Sequence, residues 1–250
     1  QNFGVEIINF NLSKDLNNNS YKEILFAFSE YGILLFRSQN MSIENQVIFG
    51  RKFGKVLIHA VNQYHAEGHP EVYVLSNLDD KGNPSGKHPD QGSLYWHTDG
   101  SWRKNTGQAT IMVADIIPSK GGETQFCCME NAYASLDNYM KQKSSELSAV
   151  HNLDFSRNRR HGHDPLTKEQ KNKVPPVTHP IVRTHLVTNR KSLFLGDHAE
   201  YIKNMNYEKG REFIETLNKL AINSKYIYTH KYVEGDVLAW DNRRLLHKGM

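Results

Sequence analysis

The order of apolar and polar residues along the chain predicts many short strands with a few helices between them. Apolar residues recur at helical spacing over residues 16–31, 42–53, 131–141 and 209–220, with Ser42 as the N-cap of the second helix. Apolar and β-branched runs predict strands over residues 32–36, 72–75, 109–114, 181–186, 192–195, 226–233 and 236–240. Short strands separated by Gly, Asn and Pro favour a mainly β sandwich or jelly roll, with the helices packed outside the sheets.

Length and composition predict one domain over residues 1–250. The chain can bury a substantial core, and no Pro/Gly/Ser-rich linker, repeat or low-complexity segment divides it. A net charge of +4 is too small and too dispersed to indicate nucleic-acid binding, but it suits a small anionic substrate. No apolar run has the length of a membrane span or the pattern of a secretory signal. Cys127 and Cys128 are adjacent and expected to be unpaired, as in a reducing cytoplasm.

The segment around His97 and Asp99 carries the first candidate chemistry. Leu94, Tyr95 and Trp96 come immediately before it and favour a strand. On an extended backbone, alternate side chains leave the same face, so an imidazole and a carboxylate at this spacing can bind one ion. Two histidines and one carboxylate, with the other positions open, make the facial site of non-haem Fe(II) oxygenases. The segment therefore predicts two of the three ligands of such a site.

The same spacing occurs in His88 and Asp90, which we interpret as a chance match. A chain with 13 histidines is expected to contain roughly one His-x-Asp match by chance. Residues 79–87 are rich in turn formers, and Pro89 lacks a backbone donor, so this pair is predicted to lie in a loop. The later pair is preferred because a strand holds ligands more rigidly than a loop.

The third ligand is predicted at His247. A buried strand that ends near Trp240 is followed by a polar turn and by a second apolar run that ends in this histidine. A lone histidine is more often a surface or satisfied core residue. The assignment therefore depends on the motifs around it.

Four motifs follow one another along the chain. They are Trp96-His97-Thr98-Asp99, Gly121-Gly122-Glu123-Thr124, His179-Pro180-Ile181-Val182-Arg183-Thr184-His185, and Trp240-Asp241-Asn242-Arg243 with His247. In this order they resemble the Fe(II)- and 2-oxoglutarate-dependent dioxygenases of the taurine dioxygenase and 2,4-dichlorophenoxyacetate dioxygenase family. The resemblance runs from about Ile33 to the last residue. It is closer to the phenoxyacetate branch through residues 190–195, 197–199 and 230–232.

The resemblance implies a double-stranded β-helix, a jelly roll with His97, Asp99 and His247 as iron ligands at its mouth. It implies Fe(II), 2-oxoglutarate as co-substrate and O2, with a small anionic organic substrate such as an aryloxyacetate or a sulfonate. Thr124 matches the family threonine that hydrogen-bonds the distal carboxylate of 2-oxoglutarate. The alternative is a strand threonine satisfied by a neighbour. Hydroxylation would release succinate and CO2, and relatives commonly form dimers or tetramers.

Several residues are candidates for substrate binding. His198 matches a substrate-binding position of the phenoxyacetate branch, and His59 aligns approximately with one of the taurine branch. His185 is a further candidate, while Phe155 and Phe194 are expected to form apolar walls. For each histidine, a surface or packing role is the alternative.

The resemblance also implies an arginine about ten or more residues beyond the distal histidine, where its planar guanidinium binds 2-oxoglutarate. The sequence stops three residues after His247, at Met250. We expect that arginine and a closing strand to lie beyond this point, since a jelly roll ending here would expose an unpaired sheet edge. Arg243 is not expected to replace the arginine, because it lies in the turn before the ligand strand and is predicted to anchor Asp241.

Two other functions remain open at this point. One is a jelly-roll metalloenzyme without redox chemistry, such as a zinc hydrolase, which tight zinc binding and oxygen-independent activity would favour. The other is a non-catalytic binding protein that keeps the fold. A complete reading frame without an arginine downstream of His247 would favour this second alternative.

Overall fold

The computed structural model describes residues 3–14, 17–59, 62–79, 81–85, 91–160 and 166–250. The helices in these ranges are α1 (Asn18–Tyr31), α2 (Ile43–Arg51), α3 (Met129–Ala134), α4 (Asn138–Ser145), α5 (Leu153–Arg160), α6 (Lys168–Lys173) and α7 (Tyr207–Ala221). The strands are β1 (Val5–Glu6), β2 (Ile33–Phe36), β3 (His65–Ala66), β4 (His69–Tyr73), β5 (Ala109–Val113), β6 (Thr124–Cys128), β7 (Ser148–His151), β8 (Val177–Pro180), β9 (Val182–Thr184), β10 (Lys191–Leu193), β11 (Ala199–Ile202), β12 (Ile227–His230), β13 (Val237–Asp241) and β14 (Leu245–Gly249).

Two sheets pack against each other at the centre of the fold. The first has the strand order β1-β2-β13-β5, and the second has the order β12-β6-β14. Successive side chains of a strand point to opposite faces. Ile33 and Leu35 of β2 therefore share one face, and they pack with Trp240 of the same sheet. Phe126 of the second sheet meets them there, so this apolar cluster joins the inner faces of the two sheets.

The outer face of the first sheet is covered by α1 and α2. Leu34 and Phe36 point to this side, where they pack with Phe28 of α1 and Phe49 of α2. The rings of Phe36 and Phe49 meet edge to face, with their centroids 5.8 Å apart. Strand β2 is therefore buried on both faces, which explains its unbroken apolar sequence.

Helix α7 covers the other side of the second sheet. Ile214, Leu217 and Ala221 recur at helical spacing and are fully buried in one cluster with Cys127. Both Cys127 and Cys128 are free thiols, as expected from the sequence. Burial raises the pKa of Cys127 to about 12, so this thiol stays protonated and unreactive.

Several predicted elements are confirmed, and others are corrected. Helices α1, α2 and α7 and strands β2, β5 and β13 occupy the predicted segments. The single helix predicted over residues 131–141 is wrong, because α3 ends at Ala134 and Asp137 begins α4 by accepting the N–H of Met140 at 2.7 Å. The strand predicted over residues 72–75 begins earlier, and the one predicted over residues 226–233 ends at His230.

Strands β7, β8 and β11 were not predicted at all. Each has four residues of mixed polarity, and they pair with one another in the order β11-β7-β8. Local periodicity is too short to reveal such strands, whose stability comes from cross-strand neighbours. None of the helices in the described ranges combines the length and the apolar character that crossing a bilayer requires.

A buried ion pair joins α3 to the turn between β13 and β14. Arg244 is buried, and its Nη2 lies 2.6 Å from Oε2 of Glu130. Its Nη1 donates to the carbonyl of Ser29 in α1 at 2.7 Å. Gly32 ends α1 at φ +76°, where a Cβ would lie 3.2 Å from the Arg244 side chain, so this position requires glycine. The turn that leads into the strand of His247 is thus fixed to two helices.

We predict that Glu130→Ala lowers the free energy of unfolding by about 3 kcal/mol, because it leaves the Arg244 guanidinium buried without its counter-charge. The control is Glu30→Ala, since Glu30 pairs with Arg190 at 3.1 Å but its side chain is 41% exposed. That change should cost less than about 1 kcal/mol. Urea denaturation measures both, and equal losses would contradict the assignment.

Candidate metal centre

His97 and His247 are held side by side by two backbone hydrogen bonds. The N–H of His97 donates to the His247 carbonyl at 3.0 Å, and the N–H of His247 donates to the His97 carbonyl at 2.8 Å. This antiparallel bridge brings the centroids of the imidazole rings within 4.2 Å. Strand β14, which carries His247, is paired along its length with β6. Two side chains that are far apart in sequence are therefore held next to each other, His247 on β14 and His97 on the segment bridged to it.

The strand predicted around residues 94–99 is wrong. A 3-10 helix, Gln91–Leu94, comes first, and His97 makes one isolated bridge before the chain turns at Asp99. Gly100 continues the turn at φ +68°, where a Cβ would lie 3.1 Å from a neighbouring backbone nitrogen. Only glycine adopts this conformation without strain. Asp99 reaches the histidines because of the turn and not because of strand alternation.

The three predicted ligands converge. One ligand atom from each of His97, Asp99 and His247 lies within 4.8 Å of the others. Nε2 of His97 is 3.5 Å from Oδ1 of Asp99, and Nε2 of His247 is 3.6 Å from Oδ2. Nδ1 of His97 lies 2.7 Å from the Tyr95 carbonyl, which can only accept, so Nδ1 carries the proton and Nε2 offers its lone pair. Two imidazole nitrogens and a carboxylate oxygen suit Fe(II).

The protonation states of these groups also suit a metal ion. Burial lowers the pKa of His247 to about 3, so its imidazole is neutral near pH 7. Burial opposes ionisation of Asp99, but the facing imidazoles of His247 and His97 and the hydrogen bond from Thr110 hold its pKa far below the usual range. Neutral imidazoles and an ionised carboxylate are the forms that bind metals.

No second cluster of this kind occurs in the part of the chain that the structure describes. The other His-x-Asp match, at His88 and Asp90, lies outside the described residues. A structural zinc site requires four protein ligands, whereas three ligands with open positions are typical of a catalytic metal.

Asp99 is oriented by Thr110 and Asn242, neither of which was among the predicted site residues. The Thr110 hydroxyl donates to Oδ2 of Asp99 at 2.5 Å, and Nδ2 of Asn242 donates to Oγ1 of Thr110 at 2.7 Å. Oδ1 of Asn242 accepts from the indole N–H of Trp240 at 3.1 Å. Asn242 belongs to the Trp240–Arg243 motif, so the sequence contained a signal that could have identified it as a site residue. Thr110 lies in a predicted strand, and nothing in the sequence around it indicated a role in the site.

Two aromatic rings wall the His247 imidazole. The centroid of the Trp240 ring is 4.9 Å from that of His247, and the Phe126 ring stacks against it at 6.1 Å. Both rings belong to the apolar cluster between the two sheets. This side of the centre is therefore closed to water.

Thr124 lies on β6 two residues before Phe126, on the same face of the strand. Its side chain is buried, and its Oγ1 accepts the Tyr232 hydroxyl at 3.0 Å. Burial raises the pKa of Tyr232 above its usual range, so the phenol keeps its proton and donates it. Thr124 is thus hydrogen-bonded to a neighbour, as the alternative to 2-oxoglutarate binding requires, but Tyr232 occupies only a lone pair of the Thr124 oxygen. The Thr124 proton can still be donated to an anion.

His198 lies beside the predicted metal ligands. Its ring centroid is 6.0 Å from that of His97, and its Nδ1 is 3.2 Å from Oγ of Ser101. Both His198 and Ser101 are buried. Among the predicted substrate residues, His198 therefore has a ring contact with the triad.

His59 and Phe155 make contacts with other groups. The His59 ring meets the Trp102 ring edge to face, with the centroids 5.5 Å apart. Phe155 lies under two guanidinium groups, with Arg159 at 5.2 Å and Arg211 at 5.3 Å from its ring centroid. A substrate-binding role for His59 and Phe155 stays a prediction.

Phe194 is buried beside a guanidinium and two imidazoles. The Arg183 guanidinium lies 3.8 Å from its ring centroid and also donates to Nδ1 of His179 and to Oγ1 of Thr106, in the loop after Asp99. The His151 ring is 5.2 Å away and completely buried. Burial lowers the pKa of His151 to about 3, so it is neutral near pH 7. The role of Phe194 as a pocket wall stays a prediction.

His185 binds a carboxylate of the protein itself. Its Nε2 lies 3.0 Å from Oδ2 of Asp241, and both side chains are almost fully buried. Arg243 binds the same carboxylate with its Nε at 2.8 Å and its Nη2 at 2.6 Å. Arg243 therefore anchors Asp241, as predicted, and His185 is a structural residue of this turn rather than part of an open pocket.

Comparison with known proteins identifies a family over the whole sequence. The family model described as "Taurine catabolism dioxygenase TauD, TfdA family" matches residues 1–250. The chain is 30% identical over 257 residues to the alpha-ketoglutarate-dependent 2,4-dichlorophenoxyacetate dioxygenase of Cupriavidus pinatubonensis, covering 99% of this chain and 88% of the relative. It is 29% identical to the (S)-phenoxypropionate/alpha-ketoglutarate-dioxygenase of Sphingobium herbicidovorans, covering 98% of this chain and 85% of that one.

A solved structure is similar over the same length. It is the crystal structure of AAD-2 in complex with Mn(II) and N-oxalylglycine, with a TM-score of 0.83 and 29% sequence identity. The match covers 99% of this chain and 87% of that one.

We predict that His97→Ala raises the dissociation constant for Fe(II), measured anaerobically by titration calorimetry, by more than about 100-fold, because removing a residue that only contacts a ligand already costs about 10–100-fold. The control is His69→Ala, which removes a surface histidine paired with Glu44. This control should bind Fe(II) like the wild type. Unchanged affinity in His97→Ala would contradict the ligand assignment.

Proposed function

The chain belongs to the TauD/TfdA family of Fe(II)- and 2-oxoglutarate-dependent dioxygenases, and we propose that it hydroxylates a small anionic organic substrate. The enzyme uses Fe(II), 2-oxoglutarate and O2 and releases succinate and CO2. The observation that carries the proposal is the convergence of His97, Asp99 and His247 on one point.

His97, Asp99 and His247 would hold the iron and leave three positions for other ligands. When bound, iron and 2-oxoglutarate supply the oxidising chemistry with dioxygen, and the protein positions the substrate carbon. The residues of the chain hold the ligands in place: the backbone bridge fixes both histidines, and Thr110 orients Asp99. Trp240 excludes water on one side of His247.

We also propose that the two facing sheets form a double-stranded β-helix within one domain. The shared apolar cluster between the sheets supports this assignment, as does the position of the proposed metal ligands on β14 and in the loop before β5. Loops at one end of such a barrel are usual places for a small-molecule site.

For 2-oxoglutarate, we propose that Thr124 donates a hydrogen bond to the distal carboxylate. The residue is buried on the inner face of β6, and Phe126 on the same face stacks against His247. Its oxygen already accepts from Tyr232. The Thr124 proton is therefore available to a ligand, and a hydroxyl that donates its proton is suited to binding a carboxylate.

For the substrate, we propose an aryloxyalkanoate, a sulfonate or a related acid. Relatives named for 2,4-dichlorophenoxyacetate and (S)-phenoxypropionate support an organic acid with an aromatic group. His198 is buried next to His97 and is our candidate for contacting the substrate anion. A protonated or N–H-donating imidazole can bind a carboxylate or a sulfonate.

Turnover tests the function directly. We predict that succinate forms only when Fe(II), O2 and 2-oxoglutarate are all present, and that a subset of aryloxyacetates, aryloxypropionates and sulfonates raises the rate above the substrate-free background. The hydroxylated product, or the phenol or sulfite released from it, should match succinate in amount. Activity that is independent of oxygen, or that tight zinc sustains, would contradict the proposal.

We predict that Thr124→Val raises KM for 2-oxoglutarate by about tenfold with a smaller effect on kcat, because a charge-assisted hydrogen bond contributes about 1.5 kcal/mol or more. Tyr232→Phe should give a smaller rise, since it only frees the Thr124 hydroxyl to rotate. The control is Thr229→Val on β12, an exposed strand threonine. Equal KM values for all three variants would contradict the role of Thr124.

A further inference from the structure

The hydrogen bonds behind Asp99 form a chain with only one possible direction. The indole N–H of Trp240 can only donate, so the atom of Asn242 that it meets at 3.1 Å is the amide oxygen. This fixes the orientation of the amide. The amide nitrogen then faces Thr110 at 2.7 Å and can only donate to its hydroxyl. The backbone N–H of Asp99 meets the same amide oxygen at 3.4 Å, which agrees with this orientation.

The consequence appears at the carboxylate. Thr110 receives a hydrogen bond from Asn242 and has one proton of its own, which it directs to Oδ2 of Asp99 at 2.5 Å. Trp240 and Asn242 are almost fully buried, so water does not compete with the first two bonds of the chain. Oδ1, on the side of His97, has no role in this chain.

We propose that the Trp240–Asn242–Thr110 chain keeps Asp99 a one-oxygen ligand by engaging Oδ2 in a hydrogen bond. The proposal rests on the proposed function, since it concerns the carboxylate of the iron site. Carboxylates bind metals through either one oxygen or two. A second oxygen on the metal would occupy a position that 2-oxoglutarate or dioxygen needs. Thr110 and Asn242 are positioning residues, because they act through Asp99.

The probe is Mn(II), whose bound water molecules are counted from water-proton relaxation without any turnover. We expect about three waters on the Mn(II)-loaded wild-type protein, one for each open position of a facial triad. Thr110→Val removes the hydroxyl and keeps the shape, so the count should fall by about one. The dissociation constant of 2-oxoglutarate for the Mn(II) protein should rise about tenfold.

Three further variants make the test specific. Thr110→Ser keeps the hydroxyl and should restore the wild-type count. Asn242→Asp keeps both acceptor roles at this position but cannot donate to Thr110, so it should lower the count as Thr110→Val does. Thr229→Val is the control for the same substitution on an exposed strand, where Oγ1 accepts from Gln125.

Each other outcome overturns a stated part of the account. An unchanged count in Thr110→Val, or an equal fall in Thr110→Ser, overturns the proposal. A fall in Thr110→Val without one in Asn242→Asp overturns the chain beyond Thr110. Loss of Mn(II) binding in Thr110→Val alone shows that the hydroxyl retains the carboxylate rather than setting its binding mode, and this also overturns the proposal. A wild-type protein that binds no Mn(II), or binds it as well in His97→Ala, contradicts the proposed function itself.

Discussion

The candidate site depends on one pair of backbone hydrogen bonds, between His97 and His247. Through these two bonds, 3.0 and 2.8 Å long, an irregular segment that lies in no regular strand gains the rigidity of the sheet. Because β14 is paired along its length with β6, the sheet itself sets the position of His247, without any contribution from a metal. The bridge transmits that position to His97, and the turn at Asp99 completes the set. The hydrogen bonds from Thr110 and Asn242 then orient the Asp99 carboxylate within a site whose position is already set by the backbone.

The surrounding packing explains why this bridge is stable. Both faces of β2 are buried, one between the two sheets and the other under α1 and α2. The turn from β13 to β14 connects the two sheets of this core, and Arg244 in this turn pairs with Glu130 and contacts α1. Asp241 in the same turn is bound by both His185 and Arg243. The ligand strand therefore starts from a turn whose charged groups are all held by partners.

The three side chains predicted as ligands converge in the structure, but for a partly different structural reason. His97, Asp99 and His247 could be singled out because each of them lies in a short motif that is visible in the sequence. The strand expected around His97 is absent, since a single bridge to a distant strand replaces it. Thr110 could not be identified because its role depends on Asn242, 132 positions away. Helix 131–141 was predicted as one element because an apolar periodicity continues through it, whereas in the structure Asp137 caps the start of a second helix.

The most direct measurement of the central claim is anomalous diffraction at the iron edge from anaerobic crystals loaded with Fe(II) and 2-oxoglutarate. We predict one strong peak within bonding distance of Nε2 of His97, Nε2 of His247 and one carboxylate oxygen of Asp99. 2-Oxoglutarate should chelate the same ion, with its far carboxylate on the Thr124 hydroxyl. An iron peak away from these three side chains, or 2-oxoglutarate bound without contact to the metal, would contradict the account.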